Sequence, residues 1–202
     1  MNWSQVAAVY DWQLPLERRA LATAIDLVKP RPDDVLLDVG TGTGGVLREL
    51  ARRRDRPSKV TGVDTSTGML RKAGALPDGW SLVAGDARQL PFADRTFSVV
   101  TAAYLLHVVD AAACRRIVRE CCRVLQSGGR FVSVTPAWPW TRLARRLYAP
   151  LAAGTGSSDG PRSAFRPLDP RPELEAAGLA VAAARHVGRG YPSICVAARR
   201  DD

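Results

Sequence analysis

The stretch Leu36-Leu37-Asp38-Val39-Gly40-Thr41-Gly42-Thr43-Gly44-Gly45 decides how this chain is read. Val35, Leu36, Leu37 and Val39 form the short apolar run of a buried strand, and Val46, Leu47, Leu50 and Ala51 supply the apolar stripe of a helix that follows. The glycines fall between the two, where backbone must turn sharply and approach a ligand with no Cβ in the way.

The spacing of Gly40, Gly42 and Gly45 also satisfies the G-x-G-x-x-G pattern of dinucleotide sites, with Asp64 at about the distance of a ribose-binding acid. Asp38 separates the two readings. A carboxylate two residues before the first glycine would face the pyrophosphate of a dinucleotide, a contact between like charges. S-adenosylmethionine has no phosphate and brings an ammonium and a sulfonium to such a turn, so an acid there attracts it. The pattern favours a methyl donor.

The rest of the chain repeats the motif of a strand that ends in an acid. Lys59-Val60-Thr61-Gly62-Val63-Asp64 is a second strand, whose carboxylate suits two ribose hydroxyls. A third, Ser81 to Ala87, ends at Asp86, which can accept from an adenine amino group. Phe97 to Thr101 and Arg130 to Val134 read as a fourth and a fifth, with helical patterns between them. A single strand-end Asp is as often a helix cap as a ligand, and Thr65 and Ser66 are themselves good caps. Three such acids around one glycine turn are harder to explain by capping.

On these residues the chain resembles the class I S-adenosylmethionine-dependent methyltransferases, in particular the small-molecule branch that includes the ubiquinone and menaquinone C-methyltransferases. The resemblance covers residues 34 to 134. It runs through Leu37 to Gly44, Val63 to Leu70, Gly85-Asp86-Ala87-Arg88-Gln89-Leu90-Pro91-Phe92 and Arg123-Val124-Leu125-Gln126-Ser127-Gly128-Gly129. It implies an α/β Rossmann-like fold, a doubly wound seven-stranded sheet, mostly parallel with a C-terminal antiparallel hairpin. It also implies S-adenosyl-L-methionine as cofactor. Carried over by position, Asp38, Gly40, Gly42 and Gly44 meet the methionine part, Asp64 with Thr65 the ribose, and Asp86 with Ala87 the adenine. Met69 matches a position that packs on the adenine face, although a buried methionine is also ordinary core.

The 202 residues fit one domain. Residues 1–29 read as an N-terminal helical cap, with Leu14, Leu21, Ile25 and Val28 as a partial apolar stripe; 30–135 as the cofactor-binding core; 136–170 as a lid insertion; and 171–202 as a C-terminal helix and hairpin. Tyr10-Asp11 matches a pair common near the N-terminus of this branch, which puts Tyr10 over the methionine part or the acceptor. Arg18 and Arg19 are either partners for the cofactor carboxylate or a solvated pair. In the insertion, Pro136 to Leu151 has an amphipathic helical spacing, and Trp138, Trp140 and Tyr148 are its candidate acceptor contacts. Gly, Ser and Pro then dominate through Pro170, as in a loop.

Composition excludes more than it identifies. No basic stretch followed by an apolar core opens the chain, and no run of eighteen apolar residues occurs, so the default expectation is a cytoplasmic protein. The formal net charge of +9 raises the question of an anionic partner, but many arginines sit on helix surfaces, and a nucleic-acid partner is not indicated. Cys114, Cys121 and Cys122 fall on one helix and Cys195 on a late strand, without metal-site spacing, so no metal is expected.

His107, just after the fourth strand, stands at the edge where substrate meets cofactor in this fold. Its unperturbed pKa of about 6.5 suits a base for a hydroxyl or an acidic carbon; relatives with a His here assign it no shared duty. Thr101-Ala102-Ala103-Tyr104 replaces the Asn/Asp-Pro-Pro-aromatic motif that grips planar nitrogens, which lowers the case for a nucleobase. Three readings stay open. The chain methylates a small apolar or aromatic metabolite at oxygen, carbon or nitrogen; it is a membrane-peripheral lipid or quinone methyltransferase; or it is a catalytically silent cofactor-binding subunit. The sequence leaves the oligomeric state unspecified.

Overall fold

The computed structural model describes residues 14–153 and 166–201. The N-terminal segment around Tyr10 and the middle of the insertion lie outside them. In chain order the elements are α1 (Leu14–Val28), β1 (Val35–Val39), α2 (Gly45–Ala51), β2 (Lys59–Asp64), α3 (Thr67–Leu70), β3 (Trp80–Ala84) and β4 (Phe97–Ala103). After them come α4 (Ala111–Val124), β5 (Leu125–Pro136), α5 (Arg142–Ala153), α6 (Arg171–Ala176), β6 (Leu179–Val187) and β7 (Ser193–Arg200).

The strands form one sheet in the order β3-β2-β1-β4-β5-β7-β6. β1 to β5 are parallel, and β7 enters antiparallel between β5 and β6, completing the expected C-terminal hairpin, which turns at Gly188 to Gly190. The order reverses direction between β1 and β4, and the helices that follow these two strands cover opposite faces of the sheet. That switch point is where open α/β sheets hold ligands.

Alternation along β1 divides the core. Leu37 and Val39 pack with Cys114, Ile117, Val118 and Cys121 of α4 and Leu174 of α6. Leu36, one residue out of phase, packs with Leu21, Ile25 and Val28 of α1 and Val46, Leu47 and Leu50 of α2. The sheet is thus covered on both faces, the doubly wound arrangement. Among the four cysteines none is in a disulfide. Burial pushes the thiols of Cys114 and Cys195 up to about 11 and about 12, so they are inert core groups at neutral pH.

At the opposite end of β1 from the glycine turn, Arg130 holds both carboxylate oxygens of Asp34 at 2.5 and 2.6 Å, and Ser98 Oγ donates to Asp34 at 2.8 Å. The pair ties β1, β4 and β5 together where it is nearly buried. Removing the cation leaves a buried carboxylate short of a partner. Arg130→Met is therefore expected to lower unfolding free energy by about 3 kcal/mol in urea denaturation.

The insertion departs from the expected helix. β5 runs on to Pro136, and α5 begins only at Arg142, with the Thr141 hydroxyl accepting from Ala144 N at 3.2 Å as its cap. Pro136 and Pro139 explain the shift, since each disfavours a helical conformation in the residue before it. Trp138 and Trp140 therefore precede the helix. Among the described residues no helix is long and apolar enough to cross a membrane.

Candidate active site

The turn after β1 is built on left-handed glycines, with φ of +71° at Gly40, +55° at Gly42 and +83° at Gly44. Leu105 crowds the first: a Cβ on Gly40 would lie 3.0 Å from its methyl carbons. The loop is fastened to the end of β2, because Val63 O accepts from the amides of Gly40 and Thr41 at 2.8 and 3.0 Å. Asp64 completes the fastening. Its Oδ2 accepts from Gly42 N at 2.9 Å and its Oδ1 from Ser66 N at 2.8 Å. Those bonds fix the carboxylate while leaving further lone pairs on each oxygen, the requirement for holding two hydroxyls.

Register places Asp38 of β1 beside Thr101 of β4. Thr101 Oγ1 donates to Asp38 Oδ1 at 2.6 Å, and Oδ2 has no hydrogen-bond partner of normal geometry among the described residues, although the Thr41 hydroxyl bears on it. Burial pushes the carboxyl up to about 6, with Thr101 and Thr41 pulling it down and the charge of Asp64 adding to the rise. A buried acid with an unpartnered oxygen is a counter-charge for a cation. The residues present therefore fit the ammonium and sulfonium of S-adenosylmethionine, and they do not suit a pyrophosphate.

A cavity of about 350 Å³ opens above this turn, within the roughly 300–1,000 Å³ range of small-molecule sites. It brings together Asp38, Gly40, Gly42, Asp64, Thr65, Met69, Asp86 and Ala87 of the sequence reading. Gly44 is not at its wall; its left-handed backbone caps α2, and a Cβ there would meet Ala73 Cβ at 3.1 Å. The buried Met69 forms part of the wall, its sulfur 3.5 Å from where a Gly42 Cβ would be. Asp86 is gripped through both oxygens by Arg88, which also lowers its pKa, so an adenine amino group there must share the carboxylate with a guanidinium.

His107 does not reach this cavity. It is 1 % exposed, its ring edge-on to Tyr104 at 6.1 Å, while Arg166 donates to its backbone oxygen. Leu105 and Val108 line the wall on either side of it in sequence. His107→Ala is expected to lower unfolding free energy by about 2–4 kcal/mol through the cavity it leaves. Turnover should stay within a few fold, measured as kcat beside thermal melting.

Trp138, Trp140 and Tyr148 also lie away from the wall. Trp138 packs edge-on against Tyr148 at 5.9 Å, and Trp140 against His186 at 5.3 Å. Arg18 pairs with Glu49 of α2 at 3.4 Å rather than facing the cavity. Tyr10 falls outside the described residues.

Two wall residues were not anticipated. Tyr104 follows β4 directly with φ of +53°, a strained conformation for a bulky residue, held by its hydroxyl on Ser193 at 2.8 Å and its ring on Tyr191. Glu17 of α1 is 4 % exposed, lines the cavity with Leu21, and makes no hydrogen bond or ion pair among the described residues. Burial pushes its carboxyl up to about 7. A signal existed, because Glu17 stands four residues before Leu21 and eight before Ile25, on the apolar stripe itself.

The switch-point cavity and its acid-lined glycine turn define a Rossmann-like protein of the S-adenosylmethionine class, not of the dinucleotide class. Comparison with known proteins agrees. A family described as a methyltransferase domain matches residues 36–129. A demethylmenaquinone methyltransferase of Thermotoga maritima is 37% identical over 127 residues, covering 62% of this chain and 54% of that protein. One from Roseiflexus sp. (strain RS-1) is 32% identical over 221 residues, covering 98% and 92%. The chain spans about half the length of several of the curated relatives it matches. A solved S-adenosylmethionine-dependent methyltransferase from Thermotoga maritima superimposes with a TM-score of 0.70 at 19% identity over 98% of both chains, a likeness of fold. The chain belongs to the S-adenosylmethionine-dependent methyltransferase family, and S-adenosylmethionine is its cofactor.

Proposed function

We propose that the chain catalyses methyl transfer to a small, flat, apolar acceptor bearing an acidic proton, a hydroquinone-like ring being the leading class. The observation that carries this reading is a single cavity in which a cation-binding turn meets an apolar wall. Leu21, Leu105, Val108, Val109 and Ile117 line it together with Asp38 and Glu17. Relatives named demethylmenaquinone methyltransferases support the choice of ring.

The bound cofactor supplies an electrophilic methyl carbon on a cationic sulfur. Asp38 and the turn hold the methionine end, and Asp64 orients the ribose, so alignment of the reacting atoms provides much of the rate. Apolar residues keep water out. Glu17, without a partner among the described residues and tuned near neutrality, takes the acceptor's proton on a carboxylate oxygen, the duty for which His107 was the candidate from sequence. The four unpaired cysteines support a reducing, cytoplasmic setting.

The test is transfer of labelled methyl from S-adenosylmethionine to a demethylated naphthohydroquinone, with a nucleobase and an imidazole amine as competitors. Label in the ring carbon of the quinol is the expected result. Label only in the amine or the nucleobase would overturn the acceptor class.

A further inference from the structure

The outer face of α5 is built unlike the rest of the surface. Among the described residues five large hydrophobic side chains are exposed, and four of them, Trp138, Trp140, Leu143 and Leu147, lie within ten residues of one another. Trp140, Leu143 and Leu147 are each 70 % or more open to solvent. Leu143 and Leu147 share one helix face at four-residue spacing. Isolated exposed leucines are ordinary, but a clustered stripe of this kind marks a surface that meets something apolar.

The charges beside the stripe say what. Arg142 and Arg146 are exposed and make no ion pair among the described residues, and exposed Arg145 adds a third positive charge while its Nε donates to Pro139 O at 2.8 Å. Between Glu120 and Asp159 the chain carries no acidic residue at all. Where Trp140 meets β6, its partner His186 is flanked by exposed Arg185, and exposed Arg189 follows in the turn. Asp169, which bears electrostatically on His186, is already neutralised by Arg171 at 2.5 Å. An apolar stripe bordered by guanidiniums without acidic partners among the described residues complements a surface that is apolar within and anionic at its rim.

We propose that this face docks on an anionic lipid bilayer. Trp140, Leu143 and Leu147 enter the headgroup boundary, while Arg142 and Arg146 lie on the lipid phosphates. The geometry is that of a helix lying in the interface plane, apolar side down, with basic residues at the polar boundary. The proposal stands on α5, the tryptophans that precede it and the neighbouring end of β6, and does not depend on which acceptor the cavity takes.

Flotation of the full chain with lipid vesicles tests it without any turnover. The chain is expected to float with phosphatidylcholine vesicles containing phosphatidylglycerol, to stay behind with phosphatidylcholine alone, and to be released by raised salt as screening predicts. Leu143→Ser with Leu147→Ser, and separately Arg142→Glu with Arg146→Glu, should each cut the bound fraction at least about tenfold. Melting temperature and cofactor affinity should be unchanged in both. Arg54→Glu with Arg119→Glu, the same change of charge at exposed sites in the turn after α2 and on α4, should leave flotation intact. No flotation on anionic vesicles, equal flotation on neutral ones, or equal loss in the Arg54/Arg119 control would overturn the proposal. So would self-association or capture of a protein partner that the leucine changes abolish while vesicles bind nothing. If a leucine variant fails to fold, the lipid and salt dependence of the wild type still decides.

Discussion

Glu17→Gln is expected to stabilise the cofactor-free protein and to disable it at the same time. The Glu17 carboxyl is pushed by burial from an ordinary 4.5 to about 7, so the folded state holds its proton more tightly than the unfolded chain does. That contribution to stability is complete below about pH 4.5 and lost as pH rises through about 7. At pH 8 the folded protein carries a buried carboxylate without a partner among the described residues, a penalty of up to about 3 kcal/mol. Glutamine removes it. Urea denaturation at pH 8 should show the variant more stable by up to that amount, with no difference at pH 4. Turnover moves the other way. With a protonated acceptor, kcat of the wild type should rise with pH to a plateau above about 7, and the variant should lose both that rise and about 100-fold or more in kcat. A variant as active as wild type with an unchanged pH profile would remove Glu17 from the reaction.

Asp38 is expected to set the pH dependence of binding as Glu17 is expected to set that of turnover. Its carboxyl sits near 6 without a ligand, and a cation against Oδ2 favours the ionised form, so binding expels a proton wherever Asp38 is still protonated. Affinity for S-adenosylmethionine should therefore rise about tenfold per pH unit up to about pH 6 and level off above it. Proton release should be visible calorimetrically as a buffer-dependent enthalpy. Asp38→Asn should flatten the profile and weaken binding at pH 7.5 by about 2–3 kcal/mol, the scale of a hydrogen bond to a charged group. The same variant should be more stable than wild type without cofactor at that pH. Affinity independent of pH between 5 and 7 in the wild type would contradict this role.

The parts legible in the sequence were those governed by local pattern. Each parallel strand announced itself as an apolar run, and the acids at 38, 64 and 86 could be placed because a strand ending in an acid before a turn projects it at the carboxyl edge of the sheet. The glycines of the turn were readable for the same reason, their φ values being ones that side chains oppose. What escaped depended on packing over long distance. Glu17 reaches the cavity only because α1 folds back over α2 and the C-terminal strands, and the apolar stripe around it drew attention to its neighbours instead. His107 was read at the edge where substrate meets cofactor because it follows β4, yet the left-handed turn at Tyr104 directs the chain so that Leu105 and Val108 take the wall and the imidazole goes inside. The prolines at 136 and 139 carried the information that delays α5, but the periodicity of the residues beyond them outweighed it.

The measurement that bears most directly on the account is titration calorimetry of the full chain at pH 7.5 with S-adenosylmethionine, its demethylated product and NAD. Saturable one-to-one binding of the first two and none of NAD is the predicted result, with Asp64→Ala weakening both by about 1–3 kcal/mol through lost hydrogen bonds to the ribose. Binding of NAD in preference to S-adenosylmethionine, or no binding of either, would contradict the reading of the acid-lined glycine turn as a site for a cationic methyl donor.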